Sequence, residues 1–155
     1  MRRFPVLLAA LPFVLLGCSD VTAPPASDPA KESYASALNV NIASMTKVTQ
    51  DLYVRDSVVG TGTTAANGTT LGVVYTGYLV NGTKFDTNVG KASFSFILGY
   101  GMVIEGWDKG LVGMKVGGIR RLVIGSALGY GKDGSPPVIP GNATLVFDVQ
   151  LVSVK

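Results

Sequence analysis

The amino-acid sequence predicts an α+β domain in which an antiparallel sheet of five or six strands curves around one short helix. Three observations lead there. Apolar and polar residues alternate over several short segments, the period of a strand with one buried face. A single stretch, residues 103–114, switches to helical spacing. Gly- and Asn-rich turns separate the segments in the order strands, helix, strands. A lone helix then covers the apolar face that such a sheet must bury.

The first element is a leader. MRRFPVLLAALPFVLLGC has a basic start, an apolar run from Phe4 to Leu16 and a small residue before Cys18. Thirteen residues are too few for a bilayer core of about 30 Å at about 1.5 Å per helical residue, so the segment reads as an export signal. Leu15-Leu16-Gly17-Cys18 also resembles the lipobox of bacterial lipoproteins. That resemblance implies removal of residues 1–17, acylation of Cys18 and a bacterial cell-envelope address anchored through the acyl chains. Ser19 after the cysteine implies delivery to the periplasmic face of the outer membrane, although Asp20 leaves the inner membrane open. The alternative is an ordinary secretory signal cleaved beyond the cysteine.

Residues 18–45 follow as the lipidated cysteine and a flexible tether. Ser19 to Ser33 is rich in Pro, Ala, Ser and Asp, a composition that buries too little surface to offset ordering entropy. Tyr34–Met45 regains weak apolar periodicity and fits a short helix or a first strand.

The domain proper spans 46–155. Asp51–Val59 alternates around Leu52 and Val54, and GTGTTAANG interrupts it. In residues 70–80, Leu71, Val73, Tyr75 and Leu79 share one face. Val80-Asn81-Gly82-Thr83 is an Asn-Gly hairpin turn, whose two central residues tolerate positive φ. The chain returns through Lys84-Phe85-Asp86, and Phe94, Phe96 and Leu98 alternate next. Ile104, Trp107, Leu111 and Met114 then recur at helical spacing. Gly106 and Gly110 each cost a helix about 1 kcal/mol against Ala, so close packing must justify them. Leu122 and Ile124 alternate with Arg121 and Val123; Arg120 and Arg121 read as a solvated strand edge. The last strand sets Leu145, Phe147, Val149 and Leu151 on one face and Thr144, Asp148 and Gln150 on the other.

Composition excludes several chemistries. There is no histidine and one cysteine, which removes His-based triads, ordinary zinc sites and intrachain disulfides. Taking Arg2 and Arg3 out of the 13 Lys and Arg leaves 11 basic against 10 acidic residues. Such near-neutrality offers no basic stripe for phosphates, so no nucleic-acid partner is expected. At 155 residues one core is the default.

Five motifs occur in a fixed order: GTG at 60–62, VVYTGYLVNGTKFD at 73–86, FSFILG at 94–99, VIEGWDKGLVGMKVGG at 103–118, and the closing LGYGKDGSPPVIPGNATLVFDVQLV. Together they resemble the FKBP-type peptidyl-prolyl cis/trans isomerases over residues 46–155. The resemblance implies a half-barrel around one helix and an isomerase of X-Pro bonds that needs no cofactor and no metal. It implies a pocket with Trp107 as floor and Tyr75, Phe85, Phe94 and Phe147 as walls. Val103 and Ile104 line it, the Ile104 amide holds a substrate carbonyl and Tyr130 donates to another, with Asp86 beside them. Val138 and Ile139, framed by Pro136, Pro137 and Pro140, match the loop that closes over a bound peptide.

The implied partners are proline-containing polypeptides and the macrolide inhibitors of the family, and a monomer is expected. Taken singly, Tyr75, Phe94, Phe147 and Trp107 are also ordinary core residues, as Phe96 is here, and Asp86 is equally a turn cap. Two positions depart from the family pattern. Ser135 stands where well-known members have histidine, and the segment between Asp86 and Phe94 is a residue shorter than in some, leaving the basic partner of Asp86 in doubt. A periplasmic peptide-binding chaperone or scaffold using the same groove is the alternative to the enzyme. A structural envelope protein with a relic fold is a third, which intact pocket aromatics oppose.

Overall fold

The alternating segments form seven strands in the computed structural model, which describes residues 26–155. They are β1 (Thr46–Thr49), β2 (Leu52–Val58), β3 (Thr70–Leu79), β4 (Lys84–Thr87), β5 (Phe94–Ile97), β6 (Ile119–Ile124) and β7 (Leu145–Val154), with one helix, α1 (Glu105–Gly110), between β5 and β6. The sheet runs β1-β2-β6-β7-β3-β4, with β5 also paired to β3, and every pairing is antiparallel. The strand beyond the expected six is β1, too short and too polar to declare itself by alternation. Cys18 and the leader lie outside the described residues. Among the described residues no helix is long and apolar enough to cross a membrane.

The helix is shorter than the spacing suggests. Ile104 is its N-cap, Leu111 its C-cap, and Met114 lies beyond it, yet Trp107, Leu111 and Met114 all reach the core. The two glycines have the close-packing reason the sequence demands. A Cβ on Gly106 would sit 2.5 Å from Ile124 Cγ2, and one on Gly110 would overlap Leu122 Cδ2. The helix therefore rests its backbone directly on β6, which brings Trp107 down to the sheet.

Three expectations are corrected. The Asn-Gly turn between β3 and β4 has positive φ at Gly82 alone. Asn81 contributes through its side chain instead, Oδ1 accepting from Thr83 N at 2.9 Å. Arg120 and Arg121 are not an edge, because β6 is central. Arg120 forks onto Asp56 at 2.6 and 2.9 Å and donates to the Gly110 and Val112 carbonyls at the end of α1. Arg121 forks onto Asp148 at 2.7 Å on each oxygen and donates to the Leu38 carbonyl.

Finally, residues 26–45 are not a tether. They form three single-turn 3₁₀ segments, Pro29–Lys31, Ser36–Leu38 and Ile42–Ser44, laid on the outer face of the sheet. Tyr53, Val123 and Val146 stand side by side across β2, β6 and β7 on that face. Leu38 and Met45 cover them, and Ser27 and Ser126 exchange hydrogen bonds at 2.8 and 3.0 Å. Leu38 and Met45, from the stretch whose periodicity is weak, are enough to anchor a strap that extends back into the segment whose composition reads as a tether.

Candidate functional site

Trp107 is 4% exposed and carries the rings around it. Tyr75 from β3 meets it edge-on at 5.0 Å and 84°, and Phe147 from β7 at 5.3 Å and 84°. Phe94 and Phe96 from β5 approach at 6.5 and 5.8 Å, and Phe85 from β4 stands perpendicular to Phe147 at 5.5 Å. Edge-to-face pairs of this kind stabilise by about 0.5–1.5 kcal/mol each beyond buried area. The indole Nε1 is buried with no hydrogen-bond partner among the described residues. Phe96 is core, 1% exposed, as its sequence reading has it.

Above these rings lies an open cleft of about 180 Å³ lined by Tyr75, Phe85, Asp86, Phe94, Val103, Ile104, Trp107, Tyr130 and Phe147, with Met102 in addition. All nine of the first set are residues the sequence nominates. Val138 and Ile139 are not on this cleft. They line a second compartment of about 240 Å³, which shares Phe85, Asp86 and Tyr130 with the first. They also part company: Val138 is 50% exposed, whereas Ile139 is 5% exposed and belongs to the core. The proline-framed loop therefore presents one aliphatic and anchors itself with the other.

Several residues that build the site escape sequence reasoning. A Cβ on Gly77 of β3 would lie 2.6 Å from Phe85 Cζ and 2.8 Å from Phe147 Cε1, so the bare strand there makes room for that ring pair. Asn88 replaces a strand partner for β3. Its Oδ1 accepts from Tyr75 N at 2.7 Å, and its amide donates to the Val73 and Ala92 carbonyls at 3.0 and 3.2 Å. Asp108 of α1 accepts from Gly99 N at 2.8 Å and Gly101 N at 2.9 Å, fixing the turn that delivers Met102 and Val103. Asx side chains that substitute for backbone partners leave no periodic signal.

The polar groups are few. Asp86 caps no turn; its Oδ2 accepts the Tyr75 hydroxyl at 2.5 Å. Among the described residues no cation forms an ion pair with it. Burial, then the Asp86 hydrogen bond, holds the Tyr75 phenol well above its ordinary value. Burial and the Asp86 charge also raise Tyr130, which is 40% exposed. The Ile104 carbonyl accepts from Trp107 N and Asp108 N at 2.9 and 3.3 Å, while its own N–H enters no backbone bond among the described residues. An apolar cleft bordered by one backbone donor, two phenols that stay protonated and one carboxylate suits a guest with carbonyl groups.

A half-wrapped antiparallel sheet with a ring-lined cleft over one short helix is the architecture that the resemblance in the motifs implies. The family model described as FKBP-type peptidyl-prolyl cis-trans isomerase matches residues 61–152, and the chain belongs to that family. It is 52% identical over 111 residues to FK506-binding protein 4 of Rhizopus delemar, covering 72% of this chain and 29% of that protein. It is 47% identical over 104 residues to the FK506-binding protein of Neisseria meningitidis serogroup B, covering 66% of this chain and 95% of the relative. Against the fungal relatives in Rhizopus delemar, Gibberella zeae and Neurospora crassa the match spans less than a third of their length.

Proposed function

We propose that this chain is a prolyl cis/trans isomerase that accelerates rotation about X-Pro bonds in exported proteins while anchored through Cys18 at the periplasmic face of the outer membrane. One observation carries the enzymatic part: nine resemblance-nominated residues converge on a single open cleft floored by Trp107. The leader sequence supports the location.

The chemistry follows from the amide. Rotation crosses a barrier of about 18–20 kcal/mol because the planar bond is resonance-stabilised. The twisted transition state has lost that resonance and its charge separation, so an apolar enclosure favours it relative to the planar ground state. Trp107, Tyr75, Phe94 and Phe147 hold the proline ring away from water. The Ile104 N–H and the Tyr130 hydroxyl hold the flanking carbonyls, and fixed donors of this kind need no reorganisation during rotation. Uncatalysed isomerisation takes tens to hundreds of seconds and limits the folding of many proteins, so an isomerase at the site of export removes a slow step.

The test is refolding of a proline-limited protein in the presence of the purified full chain. Acceleration of the slow phase at catalytic ratios is the expected result; an unchanged slow phase rejects the enzyme. Suppressed aggregation of a proline-free client without that acceleration favours a peptide-binding chaperone instead. Mass spectrometry of the membrane-extracted protein checks the anchor, with a diacylated or triacylated Cys18 at the N-terminus expected.

A further inference from the structure

Asp86 sits on the wall between the two compartments, since both are lined by Phe85, Asp86 and Tyr130. Its side chain is exposed, and one oxygen accepts from Tyr75. No Lys or Arg among the described residues pairs with it. The lysine of the nearby loop, Lys132, is engaged with its neighbour Asp133 at 3.2 Å. The carboxylate lies close to both phenols of the cleft and, with burial, raises Tyr75 and Tyr130. The boundary of the two compartments therefore carries a carboxylate that no cation among the described residues pairs with.

From this we infer that the second compartment receives a residue adjacent to the substrate proline and that Asp86 selects a cationic one there, lysine or arginine. The inference rests on the first cleft holding the proline. With the ring over Trp107, a neighbouring side chain leaves the first compartment across the wall that Asp86 occupies. A long aliphatic stem lies against Phe85, Pro136 and Val138, and its charged head meets the carboxylate. A glutamate at the same place is repelled, and a leucine gains only the apolar contact. An exposed charge pair is modest in water, so the preference is roughly two- to fivefold.

The experiment measures kcat/KM of the full chain on peptides with Lys, Leu or Glu on either side of one proline, at low and at high salt. The expected order on at least one side is Lys above Leu above Glu. Salt of about 1 M, where screening falls to about 3 Å, flattens that order, and Asp86→Asn flattens it at low salt whatever it does to the overall rate. Because each ratio is taken within one protein, a loss of total activity in the variant does not mimic the result. Acceleration of all peptides with Lys no better than Leu on either side overturns this inference and leaves the isomerase standing. A Lys preference that survives Asp86→Asn also overturns it, and failure to accelerate any peptide overturns both readings.

Discussion

The Tyr75 hydroxyl donates to Asp86 Oδ2 at 2.5 Å, joining the central part of β3 to the short strand β4 across the mouth of the cleft. The bond fixes the Tyr75 ring against Trp107 and holds the Asp86 carboxylate at the border of the second compartment. It also ties the phenol's proton to the folded state.

That linkage predicts an alkaline limit to stability. Tyr75 and Tyr130 both have folded-state values raised above the unfolded tyrosine value of about 10. A raised value means that the neutral phenol stabilises the fold, fully below about pH 10 and progressively less as pH rises beyond it. The unfolding temperature is therefore level between about pH 7 and 9.5 with respect to these groups and falls above about pH 10. Tyr75→Phe makes that fall shallower by removing one raised phenol and does not abolish it, because Tyr34 and Tyr130 still contribute. Thermal unfolding followed across the alkaline range checks the sign and the difference.

Gly77→Ala tests how the walls are built. The added methyl meets Phe85 and Phe147 inside 3 Å, so those rings must move. Overpacking of this kind costs about 1–3 kcal/mol, and the displaced rings are both cleft walls. Isomerase activity is expected to fall about tenfold or more while the protein stays folded, since misplacing groups that position a substrate is costly in rate. Chemical denaturation and a peptide assay on the same sample separate the two effects.

Arg121→Ala tests the strap. The guanidinium holds Asp148 and the Leu38 carbonyl together, and the Asp148 hydrogen bond outweighs burial in keeping it charged. Removing one member of a partly buried pair costs about 1–3 kcal/mol. Amide exchange is expected to speed up across residues 34–45 before it does in β3 or β7, and activity changes little because the strap lies on the face opposite the cleft. Exchange measured by mass spectrometry reads both regions at once.

The strap also shows where sequence reasoning runs out. Strand faces are legible because one-sided burial imposes a period of two, and β3 and β7 follow it: Leu71, Val73, Leu145, Phe147, Val149 and Leu151 are all buried. Val123 and Val146 break that rule, being fully buried on the opposite face. Their cover, Leu38 and Met45, comes from a distant segment whose weak apolar periodicity does not say what it packs against. The same logic separates the arginines. Arg120 and Arg121 look solvated in their own strand, and only the placement of Asp56, Asp148 and the end of α1 around them reveals two bidentate pairs. The cleft was more legible than the sheet's outer face because its aromatics sit in motifs with fixed spacing. Gly77, Asn88 and Asp108, which position those aromatics, act through an absent side chain or through backbone contacts that spacing does not encode.

The central claim is that a cleft floored by Trp107 lets a proline-preceding amide rotate faster than in water. The most direct measurement is the cis/trans exchange rate of a proline peptide by NMR, with a substoichiometric amount of the full chain and, separately, of its Trp107→Leu variant. The account predicts exchange many times faster than in buffer with the intact chain, and a loss of most of that gain in a variant whose spectrum shows it folded. Exchange no faster than in buffer, or acceleration equal in the two proteins, contradicts it.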